Sequence, residues 1–139
     1  MMADNAEQDA INRIVGFARA GRFDEAALAV RQAQAAGAGG PVFAALAGAV
    51  EFHRGQFAAA IPFLQAAHQA RPDDMTVRGN LAEALLRTGA LAETLPLCDE
   101  AFARADRSMR LARIGGHSAQ ETGDLAPAAA LYRVVVAAD

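Results

Sequence analysis

A short motif that begins with glycine recurs four times along this chain at a constant interval. The four glycines, each 34 residues after the one before it, are Gly21, Gly55, Gly89 and Gly123. A phenylalanine or a leucine stands two residues after each glycine, at Phe23, Phe57, Leu91 and Leu125. A fixed period of this length indicates that one small supersecondary unit is repeated and stacked.

The composition favours helices as the material of that unit. Hydrophobic residues make up 53% of the 139 residues, which is enough apolar material for the core of one domain. Aromatic residues make up only 6% and tryptophan is absent, so the core must consist of small and aliphatic side chains. Alanine, the strongest helix former, is abundant, whereas the alternating patterns that mark strands are scarce. The sequence therefore predicts an all-α chain.

Within each period, the spacing of apolar residues predicts two antiparallel helices joined at the glycine, which gives eight helices in all. A polar tail at residues 1–7 precedes them. The first helix of each pair is expected to begin near Gln8, Pro41, Met75 and Met109. The side chains expected to cap helices are those of Asp24, Asp73 or Asp74, and Ser108. Pro62 and Pro96 lie near helix starts, where a proline distorts a helix without ending it.

These units resemble tetratricopeptide repeats, with repeats at residues 7–40, 41–74, 75–108 and 109–139. The family's turn glycine and the aromatic residue or leucine after it match the motif described above. The family's small residues and closing proline match Gly48, Ala82, Gly116, Ala26, Ala60, Ala128, Ala33, Ala67, Ala101 and Pro72. The resemblance implies a right-handed α-α superhelix, or solenoid, of four helix-turn-helix units that forms a single domain over residues 8–139.

The chain departs from the family pattern at several positions. Where the family has an early tryptophan, this chain has Ala10, Ala44, Arg78 and Ala112. Ile14 and Thr94 stand where smaller residues are usual. The first repeat is the least regular, so we expect looser packing around residues 37–40.

The fourth repeat ends without the polar capping helix that such arrays usually need. Its last predicted helix carries Val134, Val135 and Val136, which would leave an apolar face uncovered. This helix either tolerates exposure, belongs to an excised N-terminal module of a longer protein, or packs against another copy to form a homodimer.

The resemblance implies that a peptide or a partner helix binds in a concave groove lined by the first helix of each repeat. The groove positions that we select are Val42, Ala45, Ala49, Phe52, His53, Glu83, Leu86, Arg87, Arg110, Arg113 and His117. Phe52 and Leu86, beside the small residues of the second repeat, either form a pocket for an apolar side chain of the partner or pack between neighbouring first helices. The family's clamp for a C-terminal carboxylate needs Lys and Asn at certain groove positions. It is not expected here, because those positions hold Ile11, Val15, Leu46 and Thr76, and Asn80 alone is compatible.

The second half of this predicted groove is charged. Arg110, Arg113 and His117 are spaced three and four residues apart, so they share one face of a helix. Together with Arg87 they are suited to a carboxylate, which arginine binds in a bidentate manner. The alternative is an ordinary solvated surface in which Glu83 and Glu121 balance the arginines.

Other function classes find little support in the sequence. Cys98 occupies an apolar position, which favours a core thiol over a nucleophile, and no residues are selected as catalytic. His53, Glu83 and His117 lack the local spacing of a zinc site, and no cofactor motif is present. The net charge is −3 and every basic residue is arginine, without a basic block for nucleic acid.

The expected role is therefore that of a non-enzymatic protein-interaction scaffold, with a partner that carries acidic groups. The N-terminus lacks the apolar segment of a signal peptide, and no apolar run reaches the length of a membrane span, so we expect a cytoplasmic, bacterial protein that does not bind membranes. The alternatives are a helper module of a larger bacterial enzyme, similar to those of sulfotransferases or glycosyltransferases, and a self-associating repeat domain.

Overall fold

The computed structural model describes residues 4–104 and 108–123 of the chain. These residues form seven α-helices and no strand, which confirms the predicted all-α class. The helices are α1 (Asp4–Arg19), α2 (Phe23–Ala35), α3 (Pro41–His53), α4 (Phe57–Ala70), α5 (Met75–Arg87), α6 (Leu91–Ala103) and α7 (Met109–Thr122). The last predicted helix, and with it the valine face proposed to form a homodimer, lies outside the described residues.

The backbone divides into two compact units, Met1–Pro72 and Asp73–Asp139. In the first unit, α1 packs on α2 and α3 packs on α4, and α3 also contacts both α1 and α2. In the second unit, α6 packs on both α5 and α7, and α5 contacts α7. Each unit therefore places two consecutive first helices of the repeat side by side, which is α1 beside α3 and α5 beside α7.

The repeated glycines adopt the backbone conformation that the turn between paired helices requires. Their φ angles are positive, at 73° for Gly21, 75° for Gly55, 80° for Gly89 and 70° for Gly123. This left-handed region is open to glycine and costly for residues with a Cβ atom. The 34-residue period thus reflects one local geometry that is used four times.

Two of the predicted helix caps are present and one is not. The side chain of Asp74 accepts a hydrogen bond from the Val77 amide at 3.0 Å, and that of Ser108 accepts one from the Leu111 amide at 3.4 Å. The prediction that Asp24 caps α2 is wrong, because α2 begins at Phe23 with Arg22 at the cap position, two residues before Asp24. Asp24 therefore lies inside the first turn, and its carboxylate accepts a hydrogen bond from Arg54 at 2.9 Å.

The start of α1 also differs from the prediction. The helix begins at Asp4, within the segment expected to be a polar tail, instead of near Gln8. Glu7 lies in its first turn, where the helix dipole favours a negative charge. The Glu7 carboxylate also accepts a hydrogen bond from the Gly39 amide at 2.8 Å. This bond ties the start of α1 to the glycine-rich loop between α2 and α3.

We expect Asp74→Ala to lower the free energy of unfolding by about 1 kcal/mol, because an orphan amide of α5 loses its acceptor. Asp24→Ala serves as the control, since it removes the same charge from an exposed side chain whose ion pair contributes little. Urea titration of the two variants measures the difference. Equal losses for both variants would show that the cap of α5 has no stabilising role.

The core of the first unit is built from small and aliphatic residues. Ile14 and Leu64 are fully buried, and alanines from α2, α3 and α4 fill the space around them. A Cβ atom added at Gly48 would lie 2.7 Å from Cδ2 of Leu64 and 2.8 Å from its Cγ. Gly48 in α3 and Leu64 in α4 are thus matched in size, as expected where two helices approach closely.

The core of the second unit contains two residues that the family pattern does not predict. Thr94 is fully buried, and its hydroxyl donates a hydrogen bond to the Ala90 carbonyl at 2.9 Å, so the extra oxygen is satisfied within α6. Arg78, at the family's tryptophan position, is only 1% exposed. Cys98 is buried, as predicted for a core thiol.

Candidate functional site

The residues predicted to line a groove lie on two surfaces, one in each compact unit. None of them is classed as buried, so all are accessible at least in part. The α3 surface consists of Val42, Ala45, Ala49, Phe52 and His53 in the first unit. The charged surface consists of Glu83, Leu86 and Arg87 on α5, and Arg110, Arg113 and His117 on α7, in the second unit.

Glu83 lies at the centre of the charged surface. Its Oε1 atom accepts a hydrogen bond from Nε of Arg110 at 3.2 Å, and its Oε2 atom lies 3.8 Å from Nη2 of Arg87. Arg110 also donates from Nη1 to Oδ1 of Asn80 at 3.1 Å. The two carboxylate oxygens of Glu83 thus face two different guanidinium groups, one from its own helix and one from α7.

Gly79 gives Arg110 room to reach these partners. A Cβ atom at Gly79 would lie 3.0 Å from Nη1 of Arg110, which is closer than nearly all real Cβ contacts. The sequence indicated a groove position for Gly79 but not this contact, which depends on a side chain that approaches from α7. A methyl group at this position would thus require the end of the Arg110 side chain to shift by a few tenths of an ångström.

The remaining charges of this surface lie further along α7. Arg113 and His117 are both exposed, one and two turns beyond Arg110. Because residues three and four apart share a helix face, the three basic side chains form one row, as predicted. Glu121 is exposed near the end of α7, one turn beyond His117.

The end of the α3 surface is packed against residues of the turn motifs. The Phe52 ring meets the Phe57 ring edge to face, with centroids 5.4 Å apart. The His53 ring stacks on that of Phe23 at 5.2 Å. These ring contacts were not predicted, although the aromatic residue two positions after the turn glycine, Phe23 and Phe57, was a signal that could have indicated them. That this surface receives an apolar side chain of a partner stays a prediction.

Ion pairs fix the end of α3 beside this aromatic group. Arg54 donates to Asp24 at 2.9 Å and to Glu51 at 3.0 Å. The hydrogen bond with Asp24 raises the pKa of Arg54 above its ordinary value, with a further contribution from the negative charge of Glu51. The guanidinium therefore stays charged throughout the pH range of a folded protein. Arg54 thus links the first turn of α2 to the last turn of α3.

An apolar cleft of about 350 Å³ opens beside the glycine-rich loop of the first unit. Its walls combine the loop with small and aromatic residues of α3 and α4. They are Gln34, Ala38, Gly39, Gly40, Pro41, Phe43, Ala44, Phe63, Ala66 and Ala70. The cleft lies at the junction where the sequence predicted the loosest packing.

Among residues 4–104 and 108–123, no three His, Cys, Asp or Glu side chains are arranged to hold a metal ion. None of the helices in this part of the chain combines the length and the apolar character needed to cross a bilayer.

Comparisons with known proteins agree with this arrangement of helices. The sequence model of the Tetratricopeptide repeat family matches residues 51–114. A comparison with curated proteins gives no significant match. Among solved structures, a MamA mutant superimposes with a TM-score of 0.84 at 18% identity, over 99% of this chain and 81% of that chain.

Two other MamA structures are similar to this chain to nearly the same extent. MamA AMB-1 has a TM-score of 0.81 at 18% identity, over 94% of this chain and 76% of that chain. MamA MSR-1 has a TM-score of 0.79 at 17% identity, over 96% of this chain and 80% of that chain. At this level of identity the likeness shows the fold alone. Together with the family match over residues 51–114 and the four positive-φ turn glycines, it confirms the resemblance to tetratricopeptide repeats that the sequence indicated.

Proposed function

We propose that this protein is an interaction module that binds an acidic segment of a partner protein at its charged surface. The tetratricopeptide-repeat fold supports a role as a protein-interaction scaffold. The observation that favours an acidic ligand is the row of Arg110, Arg113 and His117 on α7, beside Arg87 on α5. These side chains are exposed or partly exposed, so a ligand reaches them without unfolding either helix.

The chemistry of these side chains selects carboxylates. Arginine presents several N–H donors in a planar arrangement that matches the two oxygens of a carboxylate. A hydrogen bond to a charged group contributes about 1.5–3 kcal/mol when it is shielded, and less when solvent screens it. Because Arg87 and Arg113 are exposed, we expect each to contribute to the binding free energy an amount near or below the lower end of this range, about 1.5 kcal/mol. A segment with several acidic residues is therefore needed for measurable binding.

The test is the affinity of a fluorescein-labelled oligoglutamate peptide, measured by fluorescence anisotropy. We expect the double variant Arg87→Ala, Arg113→Ala to bind it about tenfold more weakly, since two charge-assisted contacts are lost. The control variant Arg31→Ala, Arg71→Ala removes the same charge from exposed positions of the first unit and is expected to bind almost normally. An oligoglutamine peptide of equal length should bind neither protein.

Two outcomes would contradict the proposal. If the two double variants lose affinity equally, the peptide responds only to net charge and the charged surface is not a site. If wild-type protein does not prefer oligoglutamate over oligoglutamine, acidic segments are not its ligands. The affinity should also fall as salt is raised, because exposed charges are screened.

A further inference from the structure

We propose that Glu83 is a built-in competitor of the acidic ligand, which makes the charged surface selective for segments with clustered carboxylates. This inference rests on the proposed function and adds the residue that sets its selectivity. It starts from the position of Glu83, whose carboxylate already lies between Arg87 and Arg110. That is the position in which a carboxylate of the ligand would meet the same two guanidinium groups.

The internal ion pair is better shielded than a typical surface pair. The Glu83 side chain is 25% exposed and that of Arg110 is 37% exposed, compared with 59% for Arg87. Arg110 is further fixed by its hydrogen bond to Asn80, and Gly79 leaves space for its guanidinium. Because its geometry is fixed and it is partly desolvated, this pair is stronger than an exposed one.

Two effects therefore oppose the binding of a ligand carboxylate at this position. It must replace Glu83 as the partner of Arg110 or share that arginine with it, and it brings a second negative charge next to a partly buried one. Like charges at this distance repel. A single carboxylate gains too little to offset this repulsion. Several carboxylates in sequence also reach Arg113 and His117, which lie one and two turns further along α7.

The experiment compares Glu83→Gln with Glu121→Gln. Glutamine keeps the size of Glu83 and its acceptor oxygen for Arg110 but removes the negative charge. Glu121→Gln removes one charge from an exposed position on α7 and serves as the matched control. We expect Glu83→Gln to bind the oligoglutamate peptide at least tenfold more tightly than wild type, and Glu121→Gln to differ from wild type by less than about threefold.

A second measurement tests selectivity. The same proteins are titrated with a peptide of equal length that carries one glutamate among glutamines. Wild type should bind this peptide far more weakly than oligoglutamate. In Glu83→Gln, the difference in affinity between the two peptides should be smaller. Thermal unfolding monitored by circular dichroism confirms that each variant is folded, and Glu83→Ser provides a second neutral substitution.

The possible results separate this inference from the proposed function. If Glu83→Gln binds no more tightly than wild type while loss of Arg87 and Arg113 still weakens binding, the competitor role is wrong and the acidic-ligand site stands. If Glu83→Gln and Glu121→Gln tighten binding equally, only net charge matters and the competitor role is wrong. If Glu83→Gln weakens binding, Glu83 positions Arg110 for the ligand and does not compete with it. If neither wild type nor Glu83→Gln binds the peptide, both proposals fail.

Discussion

Replacing Leu64 by alanine is expected to lower the free energy of unfolding by about 3–5 kcal/mol, the largest effect of any substitution considered. Leu64 is fully buried in α4 and faces the glycine of α3. Removing a buried leucine costs the transfer free energy of its methyl groups and leaves a cavity that the surroundings fill only in part. Such a loss is a large fraction of the stability of a small domain.

Leu28→Ala is the matched control for this prediction. Leu28 lies on α2 of the same unit with half of its surface exposed to solvent, so its truncation should change the free energy of unfolding by about 0.5 kcal/mol or less. Chemical denaturation followed by circular dichroism measures both variants. Similar losses at the two positions would mean that α4 does not pack on α3 through Leu64.

Replacing Gly48 by alanine is expected to destabilise the protein by about 1–2 kcal/mol, although alanine is the better helix former. The new methyl group would lie 2.8 Å from Cγ of Leu64 and 3.3 Å from its backbone nitrogen. Overpacking of this kind costs about 1–3 kcal/mol, which exceeds the gain in helix propensity of about 1 kcal/mol. Because the backbone nitrogen belongs to the middle of α4, the clash cannot be relieved by a side-chain rotation alone.

Gly16→Ala is a control that is expected to change the free energy of unfolding in the opposite direction. Gly16 lies within α1, and an added Cβ atom would meet nothing within 4 Å. There the propensity gain acts unopposed, so we expect a stabilisation of about 0.5–1 kcal/mol. If Gly48→Ala also stabilises the protein, the close approach of α3 and α4 at this point is wrong.

The two sites can be tested together because they touch. In a Leu64→Ala background, the methyl group of Gly48→Ala enters the space that the leucine side chain vacated, so Gly48→Ala should destabilise the protein much less than it does in wild type. The coupling free energy is expected to lie between about 1 and 3 kcal/mol, as is typical of residues in contact. Additive effects would show that the two positions do not share a packing site.

The features that the sequence predicted correctly are those determined within one repeat. The turn glycines follow from a local motif and adopt the same φ region in each copy. Ser108 and the aspartate pair before Met75 were recognised as caps from their position alone. Cys98 follows from the apolar periodicity of its helix. In each case the residues that determine the local structure lie close together in the sequence, within one repeat.

The features that the sequence did not predict depend on side chains from different helices. Glu83 was selected as a groove residue, with a solvated surface as the alternative, but its contact with Arg110 was not predicted, because it spans 27 positions and requires α5 and α7 to lie together. The stacking of His53 on Phe23 also joins two repeats. Asp24 was misassigned because the cap position of α2 is two residues earlier, at Arg22, which places Asp24 inside the first turn. Helix spacing alone does not fix such contacts.

The burial of the single cysteine has a practical consequence for studying this protein in solution. Cys98 is 1% exposed within α6, so its sulfur is shielded from maleimide reagents while the fold is intact. A second cysteine introduced at an exposed position would then be the preferred point of attachment for a dye or a spin label. Distances between helices become measurable by pairing such labels, without first removing the native thiol.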